Sequence, residues 1–251
     1  MAYIKSPLQW AGSKFRFLNY VYDFFPSEEI DTYYELFLGS SSVVLNLPND
    51  IKINKFILND SNEKLILFYE VVRDDPLNML RILNSLPVQN EPAYYTIRTK
   101  FNNKIGSKSE LAAYFLYMNK CGYNGLYREN KLGAFNVPYG GDTRCKGLKC
   151  EDSIMKLHHL FNKSNVYLNS NDFRFYRNHI NPNDFIYSDP PFYGTFSSYT
   201  FKRFSEKDHM DLYEFYEEMR KNNIRCLQSN SDCDWVVGMY DEFKIFDYLY
   251  K

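Results

Sequence analysis

The sequence has no long apolar segment, although 45% of its 251 residues are hydrophobic and 24% are charged. A helix that spans a bilayer needs a run of about 18 or more apolar residues, and none is present. The first residues, Met1 to Lys5, also lack the apolar core of a secretory signal peptide. We therefore expect a protein of the cytoplasm, without membrane contact and long enough to bury a full core.

Cysteine is scarce and odd in number. The five cysteines occur at irregular spacing, which fits reduced thiols better than a disulfide framework. Cys145 and Cys150 resemble half of a zinc site, but the sequence has no second pair suitably placed. We therefore expect free thiols and no metal ion.

Two further absences narrow the choice of ligand. The pattern G-x-G-x-x-G does not occur, which argues against NAD and leaves another nucleoside cofactor open. The net charge is only −1, so the chain as a whole does not have the charge of a polyanion-binding protein. Between Arg98 and Lys156, however, eleven basic residues stand against five acidic ones, an excess of six. That segment suits a phosphate backbone, although a solvated basic surface explains the charge equally well.

Short apolar strands alternate with helices along the chain. Tyr33 to Leu38 and Lys55 to Leu58 have strand patterns, and a turn of small residues, Gly39 to Ser42, follows the first of them. Asn62 to Arg73 has helical apolar spacing. The pattern resumes later with strands at 165–168, 184–187 and 224–227 and a helix with Ser205 as its N-cap. This alternation predicts an α/β fold with a Rossmann-like, doubly wound and mostly parallel sheet.

The stretch between these two parts has a different character. Residues 76–159 are mostly helical, with a strongly apolar helix from Leu111 to Lys120 and a loop rich in glycine and asparagine at 121–142. We therefore expect an inserted helical domain at 76–159 and a sheet domain formed by 1–75 and 160–251.

The tetrapeptide Asp189-Pro190-Pro191-Phe192 directly follows an apolar strand. Two adjacent prolines lack backbone N–H groups, so the main chain offers only acceptors beside a carboxylate and an aromatic ring. This combination suits chemistry on the exocyclic amine of a nucleobase. An ordinary turn is the alternative explanation.

The ends of the other predicted strands carry small or acidic residues. Gly39 and the three serines after it allow a cofactor to approach the backbone, although tight packing also explains the glycine. Asp60 follows the next strand and is placed to accept hydrogen bonds from a ribose diol. Asp172 follows a third strand, where it suits an adenine amine or, as easily, the cap of a turn. A nucleoside cofactor is therefore expected at this edge of the sheet.

Four sequence blocks occur in a familiar order. They are Leu8 to Lys14 (LQWAGSK), Glu35 to Val43 (ELFLGSSSV), Tyr123 to Arg128 with Phe135 to Gly140 (YNGLYR and FNVPYG), and the DPPF tetrapeptide. Over essentially the whole chain they resemble four motifs of the Dam-type, D12 class DNA adenine N6-methyltransferases. These are the cofactor motif L-K-W-A-G-G-K, the E-P-F-x-G-x-G-S-V loop, the recognition hairpin and the catalytic D-P-P-Y. Each block alone is a moderate signal, and four in order are a strong one.

The resemblance implies the fold of the S-adenosylmethionine-dependent methyltransferases, with S-adenosylmethionine as methyl donor. Its residues around the cofactor would be Trp10, Lys14, Phe37, Gly39, Ser41, Asp60, Asp172 and Asp189. The catalytic residues would be Asp189, Pro190, Pro191 and Phe192. The target adenine would leave the duplex, stack on Phe192, and donate its N6 hydrogens to Asp189 and the Pro190 carbonyl.

The resemblance also implies double-stranded DNA as the partner, with 76–159 as the target-recognition domain and 121–142 as its hairpin loop. The DNA-binding residues would be Gln9, Tyr123, Asn124, Leu126, Arg128 and Pro138. Arg128 is the best candidate for reading a guanine, because a guanidinium group binds O6 and N7 together. A phosphate contact is the alternative for this side chain.

The chain departs from the family pattern at several positions. Gln9 replaces a lysine that in the family is expected to reach the first base pair, which leaves the specificity at that base pair open. Glutamine favours adenine over guanine in the major groove. The site is therefore expected to be GATC or a related sequence. Ser41 replaces a glycine of the cofactor loop, and Phe192 replaces a tyrosine but keeps the stacking face. The chain stops at Lys251, where relatives continue into a further strand. Unless the chain is shortened, we expect another segment or a partner chain to cover that sheet edge.

Two other functions stay open on these residues. One is a non-catalytic DNA-binding or assembly subunit derived from the family, although Asp189 and both prolines are intact. The other is methylation of cytosine N4 or of RNA, which the order of the motifs and the hairpin signature disfavour. The sequence therefore predicts methylation of adenine N6 in a short duplex site.

Overall fold

The computed structural model describes residues 3–145, 148–163, 165–194 and 204–247. Within these ranges five parallel strands form one sheet in the order β3-β2-β1-β4-β5. The strands are β1 (Ile30–Glu35), β2 (Ile53–Asn59), β3 (Val166–Asn169), β4 (Phe185–Ser188) and β5 (Arg225–Gln228). Each predicted strand forms, and the α/β fold class is confirmed.

The strand β1 ends three residues before the expected end at Leu38. Beyond Glu35 the backbone leaves the sheet direction, and the Leu38 N–H donates to the Asn59 carbonyl of the neighbouring strand at 2.8 Å. At the other side, β5 forms one edge of the sheet within the described residues. Its cover by another segment or chain stays a prediction.

Helices connect the strands in the predicted alternation. In the described ranges the α-helices are α1 (Leu18–Tyr22), α2 (Ser42–Leu45), α3 (Glu63–Asp74), α4 (Pro76–Ser85), α5 (Glu91–Asn102), α6 (Lys108–Cys121), α7 (Glu151–Phe161), α8 (Glu206–Lys221) and α9 (Asp234–Met239). Short 3₁₀ turns occur at Lys14–Phe17, Tyr123–Gly125 and Phe173–Asn178.

The sheet has a hydrophobic cluster on each face. Tyr33 of β1 and Phe185 of β4 belong to the cluster that includes residues of α3, α6 and α7. Their neighbours Tyr34 and Ile186 belong to the cluster that includes residues of α8. Successive side chains of a strand point to opposite faces, so each strand contributes to both clusters. Helices thus cover both faces, as a doubly wound sheet requires.

Polar side chains set the helix starts next to the strand ends. Ser205 caps α8 as predicted, because its hydroxyl accepts from the Asp208 N–H while the Asp208 carboxylate accepts from the Ser205 N–H. Asn62 caps α3 by accepting from the N–H groups of Lys64 and Leu65. This cap fixes the turn that carries Asp60.

The segment 76–159 contains the helices α4, α5 and α6 and most of α7. Its helix α6 begins at Lys108 rather than Leu111, because Ser107 and Glu110 form a capping box. Phe115 of α6 stacks on Phe68 of α3 with ring centroids 5.5 Å apart. One hydrophobic cluster includes both rings and Tyr33 of the sheet. The division into an inserted domain at 76–159 and a sheet domain therefore stays a prediction.

The expectation of free thiols is wrong for two cysteines. Cys121 and Cys145 form a disulfide with their Cα atoms 4.5 Å apart, while Cys150, Cys226 and Cys233 are free. The chain returns to the end of α6 because the Gly140 N–H donates to the Cys121 carbonyl at 2.8 Å. Cysteine spacing alone does not reveal such a return. Cys145 is thereby removed from the half zinc site considered above.

The described residues contain no group of three or more histidine, cysteine or acidic side chains arranged to hold a metal ion. None of their helices is long and apolar enough to cross a bilayer.

Candidate active site

A cleft of about 800 Å³ lies at the carboxyl ends of β1, β2 and β4. From β1 the strand order runs outward through β2 and β3 on one side and through β4 and β5 on the other. Ligands of open α/β sheets bind at such a switch point. The predicted residues that line the cleft are Trp10, Lys14, Phe37, Gly39, Asp60, Asp172, Asp189, Pro190, Pro191 and Phe192. The structure therefore brings together ten predicted residues from five separate chain segments.

Gly39 lies in the loop after β1 with a φ of +47°. A Cβ atom at this position would lie 3.1 Å from Cδ1 of Trp10. The Gly39 N–H donates to the Asp60 carboxylate at 2.9 Å, and its carbonyl accepts from the Tyr69 hydroxyl at 2.7 Å. Close packing against Trp10 and the positive φ therefore both favour glycine here, while the residue also lines the cleft.

Ser41 is the predicted cofactor residue that the structure does not bring to the cleft. Its side chain is fully buried, and its hydroxyl donates to the Ser40 carbonyl at 2.6 Å. Its φ of +58° lies in the left-handed region that favours glycine. Backbone conformation thus explains why a glycine is the usual residue of this loop.

The carboxylates of Asp60 and Asp172 both line the cleft but are held differently. Asp60 accepts from the Gly39 N–H and from the Asn62 N–H at 3.0 Å. Burial raises the pKa of Asp60, and these two bonds oppose the rise. Asp172 accepts from the Arg174 N–H at 2.9 Å and forms an ion pair with that guanidinium group at 2.8 Å. Asp172 therefore caps this turn and also lines the cleft, so its other predicted role, at an adenine amine, stays a prediction.

Lys14 and Asp189 form an ion pair inside the cleft. The distance from Nζ to Oδ1 is 2.5 Å, and the two side chains are only 10% and 18% exposed. The same ammonium group donates to the Gly12 carbonyl at 2.9 Å and lies 4.8 Å from the ring centroid of Phe192. Burial raises the pKa of Asp189, and the charge of Lys14 opposes that rise. Lys14 thus favours the ionised carboxylate and fixes its position.

Glu35 is a cleft residue that sequence reasoning missed as a site residue. It is the last residue of β1, it is 2% exposed, and it accepts from the Tyr33 hydroxyl at 2.9 Å. Burial raises the pKa of Glu35 to about 8; the Tyr33 bond opposes this rise and the charge of Asp189 adds to it. The group is therefore mostly protonated at neutral pH. The single carboxyl group within the predicted apolar strand Tyr33 to Leu38 is the signal that could have identified it.

Three aromatic rings form one wall of the cleft. Phe37 lies 5.8 Å from Phe173 and 5.7 Å from Phe204 between ring centroids, and the last two rings are 6.0 Å apart. Sequence reasoning identified only Phe37, although Phe173 follows Asp172 directly. A wall of this kind suits the planar ring of a nucleobase.

The loop at 121–142 forms a hairpin with two antiparallel bridges, Gly122 to Tyr139 and Glu129 to Phe135. Backbone bonds join Tyr123 N–H to the Pro138 carbonyl at 2.9 Å and Asn136 N–H to the Arg128 carbonyl at 3.0 Å. The predicted DNA-binding residues exposed on its surface or beside it are Gln9, Tyr123, Asn124, Arg128 and Pro138.

Two predicted DNA-binding side chains of the hairpin, Leu126 and Arg128, make contacts within the protein. Leu126 is half-buried and packs against the hydrophobic cluster below. The Arg128 Nε atom donates to the Asn136 side-chain oxygen at 2.8 Å. This bond orients the guanidinium group on the exposed side of the hairpin.

The turn end of the hairpin, from Tyr127 to Gly133, also forms part of the cleft. The ring of Tyr127 stacks on Trp10 with centroids 5.4 Å apart. Lys64 of α3 forms an ion pair with Glu129 at 2.6 Å and donates to the Gly133 carbonyl at 2.5 Å. Glu129 and Gly133 line the cleft. A nucleic acid held by the hairpin would therefore lie next to the cleft.

Comparison with known proteins gives matches along nearly the whole chain. Residues 10–250 match the family model of the D12 class N6 adenine-specific DNA methyltransferases. The type II methyltransferase M.MjaIII of Methanocaldococcus jannaschii is 33% identical, over 96% of this chain and 90% of its own length. The DNA adenine methylase of Salmonella typhimurium is 31% identical, over 95% and 84%. The type II methyltransferase M1.LlaDCHI of Lactococcus lactis is 28% identical, over 94% and 84%.

Proposed function

Because this chain belongs to the D12 class of N6 adenine-specific DNA methyltransferases, we propose that it methylates N6 of adenine in a short site of double-stranded DNA. The methyl donor is S-adenosylmethionine, and the site is GATC or a related sequence. The observation that carries this proposal is the Asp189 carboxylate, held by Lys14 beside Phe192 at the switch point of the sheet.

The residues of the cleft fit S-adenosylmethionine. The rings of Phe37, Phe173 and Phe204 provide a wall for its adenine, and the volume of about 800 Å³ lies in the range of ligand pockets. Asp60 has carboxylate lone pairs for ribose hydroxyls, and Asp172 has them for the adenine amine. When bound, this cofactor supplies an electrophilic methyl group on a sulfonium that leaves readily.

The catalytic work of the chain is positioning and electrostatics. Asp189 and the Pro190 carbonyl accept hydrogen bonds from the two N6–H groups of the extruded adenine, and Phe192 stacks on its ring. These acceptors draw the nitrogen lone pair out of conjugation with the ring and aim it into the cleft. Lys14 holds the carboxylate in one place before substrate arrives, which reduces the reorganisation needed during reaction.

The hairpin supports a duplex as substrate. Tyr123 and Asn124 are exposed at the start of its first arm, where they fill the space that the extruded base leaves. Leu126 and Pro138 offer apolar contacts for a thymine methyl group, and Arg128 offers a guanidinium group for a guanine. The excess of basic residues between Arg98 and Lys156 supports attraction of the phosphate backbone.

Product analysis tests the proposed function. The protein is incubated with methyl-labelled S-adenosylmethionine and mixed-sequence duplex DNA, and the DNA is digested to nucleosides. We expect label in N6-methyldeoxyadenosine, and no label with Asp189→Ala, which should still bind DNA. Unlabelled DNA despite cofactor binding would contradict the proposal and favour a non-catalytic DNA-binding subunit. Label in N4-methyldeoxycytidine would assign a different base.

A further inference from the structure

Gln9 and Arg144 form a pair at the base of the hairpin. They are 135 residues apart in the chain, and the Arg144 Nη2 atom donates to the Gln9 Oε1 atom. The Arg144 Nε atom donates to the Gly122 carbonyl at 2.7 Å. Gly122 directly precedes Tyr123 and Asn124, which are exposed. The guanidinium group is therefore fixed at two points next to the proposed DNA surface.

The backbone around this pair is built closely. Asn119 of α6 is 2% exposed; its side chain accepts from the Gln9 N–H at 2.8 Å and donates to the Gln9 carbonyl at 2.7 Å. The same amide group donates to the Gly125 carbonyl at 3.2 Å. A Cβ atom at Gly125 would clash with Gln9 Oε1 and Arg144 Nη2. Buried Asn119 thus joins the amino-terminal segment at Gln9 to the first arm of the hairpin at Gly125, next to the Gln9–Arg144 pair.

The pair has hydrogen-bond donors left over. An arginine has five N–H donors, and the two bonds above use two of them. In the described ranges no carboxylate forms an ion pair with Arg144, and burial alone lowers its pKa. The remaining donors and the positive charge therefore suit an acceptor-rich ligand. Half-buried charges without a carboxylate are costly, which makes this arrangement unusual for a purely structural arginine.

We propose that Arg144, oriented by Gln9, reads a guanine of the target DNA and is a further specificity-determining residue of the proposed methylation. Guanine presents two acceptors, O6 and N7, to the major groove, and a guanidinium fork matches both. This inference rests on the proposed function, because the surface around Gln9, Tyr123 and Arg144 must contact the duplex.

The Gln9–Arg144 bond also changes the prediction for Gln9. A glutamine that reads adenine needs its carbonyl oxygen for the N6 amine and its NH₂ group for N7. Here the Arg144 guanidinium already binds that oxygen. The pair therefore presents mainly donors, so guanine rather than adenine is expected opposite it.

The test is sequence-resolved methylation of a duplex library in which the positions around one adenine are randomised. The variants are Arg144→Ala, Arg144→Lys, which keeps the charge without the fork, and Gln9→Ala. Arg81→Ala, at an exposed arginine of α4, is the matched control. Binding of the same library by each protein without cofactor forms a second arm, and thermal melting checks that each variant folds.

We expect the wild type to prefer guanine at one flanking position that depends on Arg144. Arg144→Ala and Arg144→Lys should reduce that preference by roughly tenfold to a hundredfold and leave the other positions unchanged, because one bidentate pair is lost. Gln9→Ala should give a smaller loss at the same position, and Arg81→Ala none. If Arg144→Ala does not fold, Arg144→Lys and Gln9→Ala decide the result.

Three results would overturn the inference. The first is that the Arg144 variants keep the wild-type preference at every position. The second is a uniform loss of DNA affinity over all sequences with a weaker salt dependence, which indicates a phosphate contact, and the third is that the wild type binds DNA without sequence preference. Failure of the proposed function looks different. A wild type that methylates nothing, yet binds with a guanine preference that Arg144→Ala removes, rejects the methylation and keeps the inference.

Discussion

The cleft and the hairpin at 121–142 are held in different ways. In the cleft the side chains of Lys14 and Asp189 are enclosed and paired with each other. In the hairpin the backbone is fixed instead: Asn102 both donates to the Phe135 carbonyl and accepts from its N–H, at 3.0 and 2.8 Å. The side chains of Tyr123 and Arg128 meanwhile face solvent.

This difference indicates that the rate of methylation and the choice of DNA depend on different parts of the protein. Enclosed, paired side chains have few alternative arrangements, which suits chemistry that depends on exact alignment of atoms. Exposed side chains on a fixed backbone can be exchanged without disturbing the core, which suits sequence recognition. We therefore expect substitutions in the cleft to change the rate of methylation and substitutions in the hairpin to change the choice of DNA.

The largest effect should come from Asp189→Asn, which removes the charge and keeps the shape. We expect the single-turnover rate of methylation to fall by roughly a hundredfold to a thousandfold, as for other groups that stabilise reacting atoms directly. DNA affinity should stay within about threefold. Asp50→Asn, at an exposed carboxylate, is the control. An unchanged rate would remove Asp189 from the proposed mechanism.

Arg128→Ala should have the next largest effect, on recognition rather than on rate. Loss of one guanidinium contact should reduce discrimination at one base pair by roughly tenfold to a hundredfold, measured as kcat/KM on matched duplexes. Affinity for S-adenosylmethionine should be unchanged. A uniform loss on all duplexes would assign Arg128 to the phosphate backbone instead.

Glu35→Gln should change how stability depends on pH. The raised pKa of about 8, against an ordinary value of 4.5, means that Glu35 stabilises the folded protein fully below pH 4.5 and loses that contribution as the pH rises through about 8. The variant lacks this loss. Its unfolding free energy relative to the wild type should therefore rise between about pH 5 and pH 8, as denaturant titrations at several pH values would show. A difference that is independent of pH would contradict the raised pKa.

The smallest effect should come from Phe192→Tyr. Both rings offer the same stacking face, and Phe192 is half-buried in the cleft with the Lys14 ammonium group 4.8 Å from its ring centroid. We expect kcat/KM to change by less than about threefold. A tenfold change in either direction would mean that the ring does more than stack.

Much of the fold follows from the sequence because it depends on local patterns. Apolar strands such as Lys55 to Leu58 and caps such as Ser205 act within a few residues, and both formed as predicted. The carboxyl ends of parallel strands share one edge, so Gly39, Asp60 and Asp189 were expected to meet there, and they do.

Other missed features depend on contacts between distant segments, unlike Glu35, whose signal is local. The Lys14–Asp189 pair joins residues 175 apart, and the Gln9–Arg144 pair joins residues 135 apart. The Cys121–Cys145 disulfide depends on the return of the hairpin to the end of α6. Ser41 shows the opposite error, because the motif placed a side chain in the cleft that the backbone conformation buries.

The division of work between cleft and hairpin is tested most directly by single-turnover methylation over a range of duplex concentrations. Wild type, Asp189→Asn and Arg128→Ala are compared on the preferred duplex. We expect Asp189→Asn to lower the maximal rate with little change in the half-saturating DNA concentration, and Arg128→Ala to do the reverse. A loss of maximal rate in Arg128→Ala as strong as that in Asp189→Asn, or an effect of Asp189→Asn on DNA binding alone, would contradict this division.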